Sequence, residues 1–169
     1  MYLYHFLLKN HKIHYYLMVV DHKNQLLLHF LEKYDEFVSN LTLIDDEEMR
    51  FEYIIDVGKS SNKLEFPEDK KIDENLMHGC MSKVWIFDQV KDGRHYFTGF
   101  SDAIIVAGLV VMMTRSFSGL TSEELNRLDE NHVRKLNLGA LTTQRQVGML
   151  AMLAHFQKLG RKSVDNTIF

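Results

Sequence analysis

Cys80 is the only cysteine in this sequence of 169 residues and its best candidate for nucleophilic chemistry. Gly79 precedes it, and glycine allows unusual backbone angles or the close approach of another chain. His78 and Lys83 place positive charge nearby, which favours the reactive thiolate over the thiol. From these residues alone, Cys80 is either a reactive nucleophile or a buried small apolar side chain, and no reaction is named.

Other familiar sites are missing from the sequence. No glycine pattern of a phosphate-binding loop occurs, and no Gly-x-Ser-x-Gly turn of a serine hydrolase occurs. One cysteine excludes an internal disulfide framework, a multi-cysteine zinc site and an all-cysteine iron–sulfur site. His78 and Cys80 could both reach one metal ion, but no further ligands support them, so we expect no metal.

Composition and charge narrow the class of protein. The chain is 46% apolar and 25% charged, which is typical of one globular domain. Its net charge of -3 argues against a nucleic-acid partner. The longest apolar run near the amino terminus, Tyr15–Val20, is far shorter than a membrane span, so we expect no membrane partner. A lone thiol fits a reducing compartment, and we expect a cytoplasmic protein.

Hydrophobic spacing predicts two helices before the cysteine. The first covers about Gln25–Val38. Asp45 is the predicted N-cap of the second, and Gly58 is its predicted end. Residues Lys59–Asn75 are polar and are predicted to form a long surface connection.

A β-hairpin and a buried helix are predicted after the cysteine. The sequence Asp92-Gly93 favours a tight turn between strands at about Ser82–Val90 and Arg94–Phe100. Ser101 or Asp102 is the predicted N-cap of the next helix. Residues Ala103–Met113 are apolar apart from one glycine, which predicts a helix that is buried on nearly all sides.

Two capping boxes predict the remaining helices. The first, at Thr121, begins a short helix to Leu128, and the second, at Thr143, begins a last helix that Gly160 ends. The predicted buried face of the last helix consists of Met149, Met152, Leu153 and Phe156. Because strands do not alternate with helices, we predict an α+β fold. Its small antiparallel sheet, a hairpin with or without a third strand, packs against several helices.

The segment around Cys80 resembles the signature of the SufE family, the sulfur acceptors of cysteine desulfurases. The similar residues are Asp73-Glu74-Asn75 and His78-Gly79-Cys80-Met81-Ser82-Lys83-Val84-Trp85. Three further segments resemble the family in the same order: Arg50–Lys59, Ser101–Leu109, and Leu141–Arg145 with Gly148. The family usually has glutamine where this chain has Met81. The resemblance predicts a SufE-like domain over 25–160, after an extension over 1–24 and before a tail over 161–169.

The resemblance implies a role in sulfur transfer. A cysteine desulfurase, which carries pyridoxal phosphate, would hold sulfur from free cysteine as a persulfide, and Cys80 would attack its terminal sulfur. The chain would activate a SufS-like desulfurase and relay sulfur toward iron–sulfur cluster assembly, with downstream scaffold proteins as further partners. It would act as a persulfide carrier without independent turnover and would bind no cofactor itself.

The resemblance also assigns supporting roles. His78, Gly79, Met81, Ser82 and Lys83 form the loop around the acceptor cysteine. We hypothesise that this loop shields Cys80 in the free protein and swings out on docking, with Gly79 as its hinge. Arg145 either pairs with a carboxylate, contacts the partner or is a solvated helix arginine. Asp102 is interpreted as a helix N-cap rather than a catalytic group.

Two other classes of function stay open at the level of sequence. One is a thiol hydrolase or transferase in which His78 is the base for Cys80. That spacing rarely gives good geometry between nucleophile and base, and no third orienting residue is evident. The other is a protein-binding module whose cysteine is inert.

Overall fold

The computed structural model describes residues 33–61, 66–79, 81–136 and 143–165. In those residues the chain forms six α-helices and one two-stranded antiparallel sheet, which confirms the predicted α+β fold. The helices are α1 (33–43), α2 (Glu47–Ser61), α3 (Ile104–Phe117), α4 (Ser122–Asn126), α5 (Glu130–Arg134) and α6 (Thr143–Asp165). The strands are β1 (Val84–Lys91) and β2 (Arg94–Ser101).

The hairpin forms where the Asp-Gly signal predicts it. Asp92 and Gly93 both have positive φ angles, 52° and 72°, which are the angles that a tight hairpin turn of the primed type requires. Two isolated bridges extend the hydrogen bonding of the sheet in the described residues. Leu76 pairs with Trp85, and Arg94 pairs with Thr121. In the described residues, the sheet thus has these single bridges instead of the third strand that the sequence left open.

The core lies between the inner face of the hairpin and helices α3 and α6. Phe97 on β2 contacts Phe156 on α6, with ring centroids 4.6 Å apart. Phe117 on α3 meets the same Phe156 ring edge to face at 5.1 Å. The predicted buried face of α6 is confirmed, since all four of its side chains are buried.

Helices α2 and α3 touch through glycine. A Cβ on Gly58 would lie 2.9 Å from the backbone nitrogen of Gly108. A Cβ on Gly108 would lie 2.0 Å from the carbonyl oxygen of Ile54. The prediction that α2 ends at Gly58 is therefore wrong: the helix continues to Ser61, and the glycine serves close packing of two backbones.

Other helix ends also differ from their predicted positions. Helix α1 continues to residue 43, beyond Val38, and the predicted start at Gln25 lies outside the described residues. Asp46, rather than Asp45, caps α2, because its Oδ1 accepts a hydrogen bond from the Met49 amide at 2.9 Å. Ala103 occupies the N-cap position of α3, so the prediction of Ser101 or Asp102 as its cap is wrong.

The carboxyl-terminal helices differ from prediction in extent. The capping box at Thr121 is confirmed, but α4 ends at Asn126 rather than Leu128. Helix α5 was not predicted, and Asp129 caps it. Helix α6 continues through Gly160, where a Cβ would lie 3.3 Å from Leu125, so this glycine also marks close packing rather than a helix end.

The connection before the cysteine is more ordered than its polar composition predicts. Two 3-10 turns, Glu68–Lys70 and Asp73–Asn75, interrupt it. Phe66 is buried with 6% of its surface exposed. An aromatic side chain that packs on the sheet therefore holds this segment against the domain.

Candidate functional site

An apolar groove of about 610 Å³ lies where the first turns of α3 and α6 approach the segment around position 80. Its lining residues are Gly79, Met81, Ser82, Ala103, Ile104, Ile105, Val106, Leu109, Thr143, Arg145, Val147, Gly148 and Met152. Three of its side chains, Met81, Ile104 and Val147, are large, apolar and more than half exposed. An apolar surface of this shape is suited to exclude water from a reactive group or to receive a partner.

Cys80 itself lies outside the described residues, but both of its neighbours in the chain line the groove. Gly79 has a φ of 96°, a left-handed angle that glycine adopts without strain. The backbone at this glycine thus has one of the unusual angles that glycine allows. Met81 is 88% exposed, so its thioether forms part of the outer rim.

The base of the cysteine segment is closed by backbone pairing. The Met77 amide donates a hydrogen bond to the Val84 carbonyl at 2.8 Å, and Leu76 bridges to Trp85. The chain therefore leaves the sheet after Met77 and rejoins it at Val84. The described residues between these two points, 78–79 and 81–83, lie outside the strands, and the two ends of this segment are held together.

Arg145 enters the groove from the first turns of α6. Its guanidinium carbon lies 5.2 Å from the centroid of the Phe51 ring on α2. A cation over an aromatic face is stabilised by about 0.5–1 kcal/mol when it is partly exposed. The sequence leaves three roles open for this arginine. The structure adds a fourth, in which the Phe51 ring holds the cation at the groove.

The remaining predicted site residues lie apart from the groove. His78, Lys83 and Asp102 are exposed, and none of them lines the groove. Gly79, Met81, Ser82 and Arg145 are the predicted residues that the structure brings together there. The loop around position 80 and the start of α6 thus share one surface.

His155 on α6 is a neighbour of this loop that the sequence did not single out. A Cβ on Gly79 would lie 3.8 Å from that of Ala151, which places the loop over α6 one turn before His155. The His155 Nε2 is buried and has no hydrogen-bond partner among the described residues. Burial, helped by the charges of Lys158, Lys162 and His78, lowers the pKa of His155 to about 4.

The described residues contain no cluster of three or more histidine, cysteine, aspartate or glutamate side chains that could hold a metal ion. Among these residues, every helix is too short or too polar to cross a bilayer.

Known proteins resemble this chain over most of its length. Residues 35–160 match the family described as SufE: Fe-S metabolism associated domain. An uncharacterized SufE-like protein of Rhizobium meliloti (strain 1021) is 34% identical over 125 residues, which are 70% of this chain and 88% of that protein. A second uncharacterized SufE-like protein, from Rhizobium etli, is 31% identical over 135 residues, or 76% of this chain and 90% of that protein.

A solved structure supports the fold independently. The solution structure of a hypothetical protein from Thermus thermophilus superimposes with a TM-score of 0.61 at 18% identity. The match covers 79% of this chain and 96% of the other, so it shows a shared fold. The family model and the two Rhizobium relatives lead to one assignment: the chain belongs to the SufE family, whose domain is associated with Fe–S metabolism.

Proposed function

We propose that this protein accepts sulfur from a cysteine desulfurase that carries pyridoxal phosphate, and that it activates this enzyme. Cys80 receives the sulfur as a persulfide and relays it toward iron–sulfur cluster assembly. Membership of a family associated with Fe–S metabolism supports the sulfur chemistry. The observation that carries the proposal is that both chain neighbours of the single thiol line an apolar groove.

The transfer requires one thiol on the acceptor. The Cys80 thiolate attacks the terminal sulfur of the donor's persulfide, and a new sulfur–sulfur bond forms as the donor's own bond breaks. The donor cysteine leaves as a thiolate, while the terminal sulfur keeps its hydrogen. The step is the analogue of thiol–disulfide exchange and consumes no oxidant or reductant.

The groove and the loop have complementary roles in this proposal. An apolar surface beside the loop shields a persulfide from water and from other thiols while the carrier is free. Gly79 acts as the hinge by which the loop swings outward on docking, because glycine crosses between backbone conformations at low cost. Arg145 offers a cation at the same groove, where it attracts a carboxylate of the partner or the anionic persulfide.

The partners follow from the chemistry. A SufS-like desulfurase supplies the sulfur and keeps the pyridoxal phosphate, so this chain needs no cofactor for the step. Scaffold proteins of cluster assembly receive the sulfur. The reducing cytoplasm is the compartment in which a lone acceptor thiol stays unpaired between transfers.

Replacing the acceptor thiol tests this proposal. The protein is mixed with a cysteine desulfurase and free cysteine, and its intact mass and the rate of sulfide release are measured. We expect the wild type to gain the mass of sulfur at Cys80 and to accelerate release, whereas Cys80→Ser does neither, because a hydroxyl cannot form the persulfide.

His78→Ala is the matched control within the same loop. A carrier still forms the Cys80 adduct in this variant, since the transfer needs no base at His78 and Lys83 still favours the thiolate. The proposal is wrong if Cys80→Ser still accelerates the desulfurase or if no adduct forms on the wild type. Ester or amide turnover that is lost in both variants would instead identify a thiol hydrolase.

A further inference from the structure

The segment that leads into the cysteine loop is fastened to the outer face of the hairpin. We call residues 66–77 the strap. The Phe66 ring lies 6.1 Å from the ring of Phe100 on β2. Phe100 also lies 6.0 Å from Trp85, its direct cross-strand partner on β1. One aromatic side chain of the sheet therefore joins the strap to both strands.

Two lysines of the strap add to this attachment. The Lys71 Nζ lies 4.0 Å from the centroid of the Phe100 ring. The Lys70 Nζ lies 5.0 Å from the centroid of the Phe87 ring. Only 22% of the Lys71 side chain is exposed, so its contact with the ring is partly desolvated and strengthened accordingly.

The strap ends at the base of the cysteine loop. Its last two residues are the ones that pair with the sheet, Leu76 with Trp85 and Met77 with Val84. Position 80 is three residues beyond Met77, and a fully extended chain of that length spans about 10 Å. While the strap stays attached, this length limits how far the acceptor can move from the sheet.

We propose that the strap sets the reach of the Cys80 loop, with Phe100 and Lys71 as positioning residues for the sulfur transfer. The part that concerns transfer rests on the proposed function; the part that concerns reach does not. An attached strap presents the thiol to a docked donor within a short radius. A detached strap frees the thiol to meet small reagents more often but presents it to the donor less reliably.

Two variants loosen the strap by different means. Phe100→Leu removes the ring but keeps an apolar side chain, and Lys71→Met removes the cation but keeps the length of the side chain. Phe100→Tyr, which retains a ring, is the conservative variant expected to restore wild-type behaviour. Lys59→Met makes the same lysine substitution on α2, where the side chain is exposed and pairs with Asp56.

Three rates are measured on each full-length variant: hydrogen exchange at the Met77 amide, alkylation of Cys80 by iodoacetamide, and sulfur uptake from a desulfurase. In the two loosened variants we expect exchange and alkylation to rise and sulfur uptake to fall, each by about threefold to tenfold, as the loss of one such contact would give. Lys59→Met and Phe100→Tyr should match the wild type. Opposite changes in alkylation and uptake at an unchanged midpoint of urea denaturation are the signature of positioning, because general destabilisation would lower that midpoint.

Unchanged Met77 exchange in both loosened variants would overturn the proposal, and so would alkylation and uptake that change in the same direction. Lys71 is not part of the buried core, so Lys71→Met carries the test even if Phe100→Leu fails to fold. If the exchange and alkylation changes appear but the wild type takes up no sulfur, the strap is upheld and the proposed function fails.

Discussion

His155 shows how burial determines the chemistry of a single side chain. The imidazole is partly buried on α6, and its Nε2 lacks a hydrogen-bond partner within the described part of the chain. Burial lowers its pKa from 6.5 to about 4. A buried nitrogen without a hydrogen-bond partner lowers the stability of the folded state by about 1–3 kcal/mol.

We predict that His155 makes the folded state less stable in acid. The unfolded chain binds the proton near pH 6.5 and the folded chain only near pH 4, so stability present above pH 6.5 is lost as the pH falls through this window. Between pH 7 and pH 4.5 the wild type should therefore lose about 2–3 kcal/mol more of its unfolding free energy than His155→Leu does. Urea denaturation at the two pH values measures the difference.

All titratable groups other than His155 are present in both the wild type and His155→Leu, so their contributions to the pH dependence of stability cancel. Asp88, whose pKa is raised by burial, contributes to both pH profiles alike. Parallel profiles for the wild type and His155→Leu would show that the imidazole is not kept neutral by the fold.

Residue chemistry was only partly predictable from the sequence. Cys80 and Gly79 stand out because their types alone suggest a nucleophile and a hinge. His155 does not, because its chemistry depends on which elements cover it. The one signal that the sequence offers is the position of this histidine within the apolar spacing of α6, four residues after Ala151. That spacing alone does not distinguish a buried imidazole from an exposed one.

At the scale of elements, a buried polar network connects the hairpin to α4. His95 on β2 is fully buried. Its Nδ1 lies 2.7 Å from the Oδ2 of Asp88 on β1, and its Nε2 lies 3.0 Å from the Oγ of Ser122. Burial raises the pKa of Asp88, and the hydrogen bond from His95 offsets part of that increase. The network thus fixes the turn end of the hairpin to α4.

We predict that Asp88→Ala lowers the unfolding free energy at pH 7 by about 1–3 kcal/mol, because it leaves a buried imidazole N–H without an acceptor. Asp88→Asn should lose less, since its amide oxygen still accepts that hydrogen bond. Asp35→Ala, an exposed position on α1, is the control and should change stability by less than about 0.5 kcal/mol. Equal losses in Asp88→Ala and Asp35→Ala, measured by urea denaturation, would contradict the role of the network.

The elements themselves were predictable where local chemistry decides them. The Asp92-Gly93 turn specifies the hairpin because only this backbone geometry matches the twist of the strands. Gly58 and Gly160 misled the prediction because glycine marks both helix ends and places where a neighbouring chain comes close. Only the packing of α2 on α3, and of α6 on α4, distinguishes the two meanings.

At the scale of the whole molecule, the contact at Gly108 determines how α3 lies against α2. Helix α3 also supplies Ile105 and Leu109 to the groove. We predict that Gly108→Ala destabilises the protein by about 3 kcal/mol, although alanine favours helices, because its Cβ meets backbone rather than a movable side chain. Arg115→Ala, at an exposed position of the same helix, is the control for a surface change on α3. Urea midpoints that are equal in both variants would show that the helices separate without cost.

The exposed thioether of Met81 has a consequence for conditions of oxidative stress. A side chain with 88% of its surface open to solvent is accessible to peroxide, which converts a thioether into a polar sulfoxide. A glutamine side chain at this position would not undergo this reaction. In this chain, therefore, the oxidants that destroy persulfides would also make the edge of the groove hydrophilic, and a methionine sulfoxide reductase would be required to restore it.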